Sequence, residues 1–236
     1  MSLEYHNNDP GAVEFGNFIN YYQFNTPEER LAVFPSRVWS NWQSTDGKLL
    51  VLDIGCNAGN FTQLFYKFIR EHSKRDVFIL GIDIDPVLIE RAQEDNAHPS
   101  NIKYLNLDFM KDTKCIGEYL SCHSRTNFDV VLCLSITMWI HLNHGDEGLK
   151  MFLKRASTLS DLVVIEPQPW KCYRTAVRRM TKAKKHFPQF PKLELCDGVD
   201  VAISEFLENE CQVGKIYESA ETKWKRRINI YRKVVV

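Results

Sequence analysis

Five short runs of β-branched and apolar residues recur along the chain: KLLVLDIG (48–55), VFILGIDID (77–85), NIKYLNLDF (101–109), FDVVLCLSI (128–136) and LVVIEPQ (162–168). Runs this uniformly apolar must be buried on both faces, and helical patterns separate them, so they predict a parallel α/β sheet covered by helices. After the first run, Phe61, Leu64, Phe65, Phe68 and Ile69 fall at helical spacing on one apolar face. Asp85 followed by Pro86 reads as the N-cap and first position of the next helix. Leu149, Phe152, Leu153, Ala156 and Leu159 form a further core face. Late in the chain, VGKIYES (213–219) and WKRRINIYRKVVV (224–236) predict an antiparallel hairpin at the sheet edge.

With 236 residues and 44% hydrophobic side chains, one globular domain can bury its own core. The expected organisation is an extension over 1–45, with six aromatics between Phe15 and Phe34, covering the site of a domain that spans 46–236. An apolar run of membrane-spanning length is absent and the first residues are polar, which predicts no membrane association and a cytoplasmic location. Seven cysteines without C-x-x-C spacing read as free, mostly buried thiols.

The first run leads into DIGCNAGN, where Asp53, Gly55 and Gly59 form a D-x-G-x-x-x-G turn at the start of a helix. Glycines there let the backbone pass close to a ligand. Asn57 stands where a dinucleotide fingerprint has its middle glycine, so a pyrophosphate fits poorly. Asp83 ends the second run, placed to accept from ribose hydroxyls, and Asp108-Phe109 ends the third with an acid and an aromatic face for an adenine. Three consecutive strand ends bearing such groups suggest S-adenosylmethionine.

The stretch SITMWIHLNHGDEGL (135–149), together with EFGNFINYY, LDIGCNAG, GIDIDPVLI, LDFM and EPQPWKCYR, resembles the bicoid-interacting-protein-three family of RNA 5′-phosphate methyltransferases, and within it the monophosphate branch. The resemblance runs from about Phe15 to the last strand. It implies the Rossmann-like class I fold of S-adenosylmethionine-dependent methyltransferases, with Tyr22, Arg30, Asn57, Asp83, Ile84, Asp108, Phe109 and Leu134 at the cofactor. Arg30 would meet the methionine carboxylate, a geometry suited to a guanidinium; otherwise it is a surface ion pair. The implied partner is a small RNA bearing a 5′-monophosphate, such as a histidine tRNA or a microRNA precursor, and the implied protein is a monomer without a metal.

Residues Ser135 to Gly145 are expected to line the acceptor side. A terminal phosphate is already anionic, so methyl transfer needs orientation more than a base. A cation touching the attacking oxygen would draw off its charge. Neutral donors are therefore expected there, namely Tyr21, His141 and Asn143, with full cations held farther back. His141 reads equally as a satisfied core group, and His144 reads more as core than as a site residue; with Asp146 the pair also offers a metal site, and Asp146 otherwise caps the following helix or helps its first turn. Trp139 and Trp170 are read as substrate contacts or core filling, and Glu166 as a substrate-side orienting group or a buried structural acceptor.

Charge is uneven along the chain although it sums to zero: from Pro167 to Leu193 eight residues are basic and none acidic. At helical phase Lys171, Arg174, Arg178, Lys182 and Lys185 share one sector, opposite Ala176, Met180, Ala183 and Phe187. Such a stripe suits an RNA backbone, and KWKRRINIYRK extends it or is an exposed edge strand. The competing readings are a methyltransferase for a small molecule or a protein, against which the basic helix stands, and a catalytically silent RNA-binding module.

Overall fold

The computed structural model describes residues 13–18, 21–40, 46–112 and 114–234. Seven strands form one sheet in the order β3-β2-β1-β4-β5-β7-β6: β1 (Lys48–Ile54), β2 (Asp76–Asp83), β3 (Ile102–Asn106), β4 (Phe128–Leu134), β5 (Ser160–Glu166), β6 (Val213–Glu218) and β7 (Asn229–Lys233). The first five are parallel, and β7 runs antiparallel between β5 and β6. All five apolar runs and the late pair are thus strands. The inner strand of that pair is β7, and a long connection carrying Trp224 and Arg226 precedes it.

Alternation within each run decides which side of the sheet a residue fills. Leu50, Leu52, Ile54, Val131, Cys133, Val163 and Ile165 point to one face, packed with Leu149, Phe152, Leu153 and Tyr173. Leu49, Val51, Val130, Leu132, Leu162 and Val164 point to the other, with Phe61, Phe65 and Ile69. The helices are α1 (Tyr21–Phe24), α2 (Pro27–Leu31), α3 (Ser36–Ser40), α4 (Asn60–Ser73), α5 (Pro86–Glu94), α6 (Cys115–Cys122), α7 (Thr137–Thr158), α8 (Trp170–Lys182) and α9 (Val199–Glu210). Asp85 caps α5 by accepting from Val87 and Leu88 N–H groups, with Pro86 first in the helix.

Part of the expected extension lies outside the described residues, namely 1–12, 19–20 and 41–45. What is described packs closely. Phe34 packs at a tilt against Phe61 and Phe65 of α4, and the fully buried Trp39 meets Phe65 edge-on. Burying side chains of this size stabilises the join by about 2–3 kcal/mol each. Tyr217 on β6 reaches across to donate to the Val33 carbonyl at 2.9 Å.

Two expectations need correction. The helix after β5 ends at Lys182, so Lys185 and Phe187 lie beyond it; Ala183 is exposed, and the buried face is Tyr173, Ala176 and Met180. Cys56 and Cys133 are buried, whereas Cys122 is exposed and the other free thiols are part-exposed.

Candidate functional site

Strand order reverses between β1 and β4, and a cleft with about 980 Å³ of empty space opens there at the carboxyl ends of the strands. Crevices at such switch points are where open α/β sheets take ligands. Leaving β1, the chain turns through Gly55 at φ +76°. A Cβ there would stand 2.5 Å from Cγ2 of Ile136, so only glycine admits that close approach. Asn57 follows at φ +53°, a left-handed conformation that asparagine tolerates, and its side-chain amide donates to the Phe18 carbonyl at 3.0 Å. Gly59 stands outside the cleft lining: a Cβ on it would strike the Tyr104 hydroxyl at 2.5 Å, so its glycine serves packing.

Asp83 closes β2 with both oxygens fixed. Oδ2 accepts from the Asn57 N–H at 2.9 Å and Oδ1 from the Asp85 N–H at 3.0 Å. Burial raises its pKa. Asp53 accepts from Thr62 Oγ1 at 2.6 Å, and burial pushes its pKa up to about 6. Tyr22 donates from its hydroxyl to the Cys56 carbonyl at 3.3 Å. Tyr22, Asp53, Gly55, Asn57, Asp83, Ile84, Asp108, Phe109 and Leu134 all line the cleft. The Phe109 ring is held by Phe152 at 5.3 Å and by the Arg155 guanidinium at 4.4 Å.

Residues 13–18 cross over the opposite wall. Asn17 donates to Asp85 Oδ2 at 2.6 Å, and Gly16 lies so close to the Trp139 indole that a Cβ would be 2.2 Å from Nε1. Phe18 meets the Trp139 ring edge-on at 5.8 Å. Asn143 gives both amide hydrogens to carbonyls, Glu14 O and Trp139 O, each at 2.9 Å. An asparagine has two such donors, so Asn143 holds this strap and has none left for an acceptor.

The stretch after β4 is helix almost from its start. Ser135 turns the chain at φ +60°, and α7 begins at Thr137, with an extended break at Gly145. Helical phase places Ile136, Trp139, Ile140, Asn143 and His144 along the cleft. His141 points the other way and is fully buried, with Nδ1 3.1 Å from the Tyr173 hydroxyl and Nε2 2.8 Å from Asp146. Burial lowers its pKa. The imidazole at the acceptor side is that of His144, which the sequence had favoured as core. Asp146 does not cap a following helix; it accepts from the Glu194 and Leu195 N–H groups at 3.0 and 3.1 Å. Facing apart, the two histidines do not share a site with Asp146.

Behind Tyr21 lies a buried cluster drawn from four segments. Arg30 Nη2 reaches Glu166 Oε2 at 2.9 Å, the Tyr21 hydroxyl at 2.6 Å and Ser135 Oγ at 3.0 Å. Glu166 also accepts from Ser135 Oγ and, at 2.8 Å, from Trp224 Nε1. Arg226 Nη1 donates to Ser135 Oγ at 2.7 Å. Opposite charge around Glu166 holds its pKa below the usual carboxylate value despite burial. Arg30 is therefore a buried pair facing the cleft, 2% exposed, and not a surface one. Glu166 is outside the lining and orients Arg30 and Ser135. Trp170 is outside it too, stacked on Phe190 at 5.4 Å and on Tyr173 at 4.8 Å. Trp224 and Arg226, read within KWKRRINIYRK as basic surface or exposed edge strand, lie before β7 and turn inward to this cluster.

Lys171, Arg174, Arg178 and Lys182 form an exposed stripe along α8. They stand outside the cleft, on the helix that begins four residues after Glu166.

Comparison with known proteins agrees with this geometry. The family described as bicoid-interacting protein 3 (Bin3) matches residues 128–233, and a methyltransferase domain matches 51–158. The pre-miRNA 5′-monophosphate methyltransferase of Xenopus laevis is 38% identical, covering 95% of this chain and 94% of that protein. The chain belongs to the Bin3 family of methyltransferases. The RNA 5′-monophosphate methyltransferase of Homo sapiens is 37% identical over 94% of this chain and 82% of its own length. Among solved structures, the N-methyltransferase NodS from Bradyrhizobium japonicum WM9 in complex with S-adenosyl-L-homocysteine has a TM-score of 0.57 at 15% identity, covering 94% and 95% of the two chains. That likeness establishes the class I methyltransferase fold.

S-adenosylmethionine is the methyl donor, and the cleft fits it. Asp83 would hold the ribose hydroxyls, Phe109 would give the adenine an apolar face, and Asp53 adds a buried acid suited to a sulfonium ligand.

Proposed function

We propose that this chain methylates the 5′-monophosphate of a small structured RNA, in keeping with the names of its Bin3 relatives. The observation that carries this reading is a division of charge across one cleft. Carboxylates end β1 and β2, and Asp108 stands beyond β3; at the ends of β4 and β5 a hydroxyl edge is backed by arginines, and the basic stripe of α8 follows.

S-adenosylmethionine, when bound, supplies an electrophilic methyl carbon. A terminal phosphate carries about −1.5 to −2 charges at neutral pH, so its oxygen can form the new O–C bond as the S–C bond breaks without prior loss of a proton. The protein's task is alignment. Tyr21 accepts from Arg30 and so keeps its own O–H for the acceptor, while the cation stays one group behind. His144 supplies a second side-chain donor at the rim. Lys171, Arg174, Arg178 and Lys182 track the RNA backbone without reading its sequence. A histidine tRNA and a microRNA precursor both present such an end.

The test uses one hairpin RNA with a 5′-hydroxyl, a 5′-monophosphate or a 5′-triphosphate, incubated with methyl-labelled cofactor. Label on the monophosphate alone is expected. Label on the triphosphate alone, or on the hydroxyl form as well, overturns the reading, and no label on any form revives a small-molecule acceptor or a silent binder.

A further inference from the structure

The cluster behind Tyr21 is unbalanced. Arg30 and Arg226 are both within hydrogen-bond reach of Ser135 Oγ, yet Glu166 is the one carboxylate bonded to the cluster among the described residues. Both of its oxygens are already bonded, Oε1 to Trp224 and Oε2 to Arg30 and Ser135. Ser135 is also saturated: its hydroxyl has one hydrogen and two lone pairs, and these go to Glu166, Arg30 and Arg226. Asp53, the nearest acid on the cofactor side, is bonded to Thr62. Asp53 and Glu166 both offset the charge of Arg30, whereas Arg226 is bonded to Ser135 and Cys172 and, among the described residues, to no carboxylate. The Nε–H groups of both arginines are sealed from solvent and have no partner. Leaving a buried cation and two donors unanswered is costly, so a site built this way is built for an anion.

Position says which anion. The cluster stands at the ends of β4 and β5, away from Asp83 and Asp108, and Arg226 Nη2 lies 3.8 Å from Cys172 Sγ in the first turn of α8. Arg226 thus joins the start of the basic stripe to the cleft wall.

We propose that Arg226 is the positioning residue that makes this site select a terminal phosphate: bonded to Ser135 and Cys172 but to no carboxylate, and with its Nε–H unpartnered, it carries a charge that the acceptor's dianionic 5′ end answers. The inference rests on the function proposed above. Arg226 acts through Ser135 and the Tyr21 edge and does not touch the attacking oxygen, which keeps its charge for the methyl carbon.

The experiment compares wild type, Arg226→Lys and Arg226→Gln in the full chain. It measures cofactor affinity in the absence of RNA, KM and kcat on the 5′-monophosphate hairpin, and binding of the monophosphate and hydroxyl forms of that hairpin. For Arg226→Gln, KM is expected to rise by about tenfold to a hundredfold, the range for one charge-assisted hydrogen bond. Preference for the phosphorylated end should disappear, cofactor affinity should change less than about twofold, and Arg226→Lys should recover part of the preference because it restores the charge without the fork. If Arg226→Gln fails to fold, Arg226→Lys carries the test through a severalfold loss of preference. Two results overturn the inference: an unchanged preference for the phosphorylated end, or a fall in cofactor affinity as large as that in RNA affinity, which would assign the Arg226 charge to the methionine carboxylate. A wild-type protein that ignores the monophosphate hairpin would instead sink the proposed function itself.

Discussion

The two halves of the cleft are built in opposite ways. On the cofactor side the three acids come from the ends of successive strands and are fixed within the adjoining turns: Asp53 by Thr62, Asp83 by Asn57 and Asp85, Asp108 by the Met110 N–H at 2.9 Å. On the acceptor side the bonds that hold the buried charges reach across the chain. Arg30 meets Ser135 and Glu166 across 105 and 136 residues, and Arg226 meets Ser135 across 91. A half assembled from adjacent residues survives small errors elsewhere in the fold. A half assembled from four segments exists only when all of them are docked, and it holds the buried charge.

The largest expected effect comes from breaking the acceptor half at its centre. Glu166→Ala leaves Arg30 buried and unpaired, and should cost about 3–5 kcal/mol in urea unfolding. Because the folded state holds the Glu166 pKa down, its contribution is present above the ordinary carboxylate range and is lost as pH falls through the lowered value. Acid unfolding of wild type should therefore be steeper than that of Glu166→Gln. Equal profiles would mean that the pair is not what joins the segments.

The two histidines sharpen the contrast between support and contact. His141→Ala strips partners from Tyr173 and Asp146 and should destabilise by about 1–3 kcal/mol. His144→Ala should leave the melting curve within about 0.5 kcal/mol of wild type while raising KM for the RNA. The reverse pattern would move the acceptor side to the other face of α7.

Removing three cations from the stripe, as Arg174→Ala, Arg178→Ala and Lys182→Ala together, should lower the slope of log affinity against log salt by about 3. Stability and cofactor affinity should hold. An unchanged slope would detach α8 from the RNA path.

The smallest effect expected is on the cofactor side. Burial raises the Asp53 pKa to about 6, so between the ordinary aspartate value and that pH the native state holds a proton the unfolded chain has lost. Stability should fall gently as pH rises across this window, and cofactor affinity should climb as Asp53 becomes ionised. Asp53→Asn should flatten both trends.

How much of this was legible depends on the distance over which each contact acts. The strands, the Asp85-Pro86 helix start and the glycine turn at Gly55 are local and were readable. So was the basic face of α8, although not its end: Lys184 turns left-handed at φ +57°, and a pattern of charges does not mark where a helix stops. His141 was assigned to the acceptor side because 135–145 was treated as one lining segment. Read at 100° per residue, the same letters put Trp139, Ile140 and Asn143 together and turn His141 away, so that signal was present. Asn143 was visible as a polar group facing the ligand, but its spent hydrogens depend on Glu14, 129 residues away.

By itself, then, the sequence determined the strands, the acids at the ends of three of them and the glycine turn at Gly55, because period-two burial, glycine conformation and strand-end acids are properties of neighbouring residues. The tertiary structure alone decided that Arg30 is buried, that Glu166 serves it and not a substrate, and that Arg226 comes to stand beside Ser135. Those facts follow from desolvating charges carried by remote segments, and the energy of a buried charge is set by what the whole fold brings within a few ångströms of it.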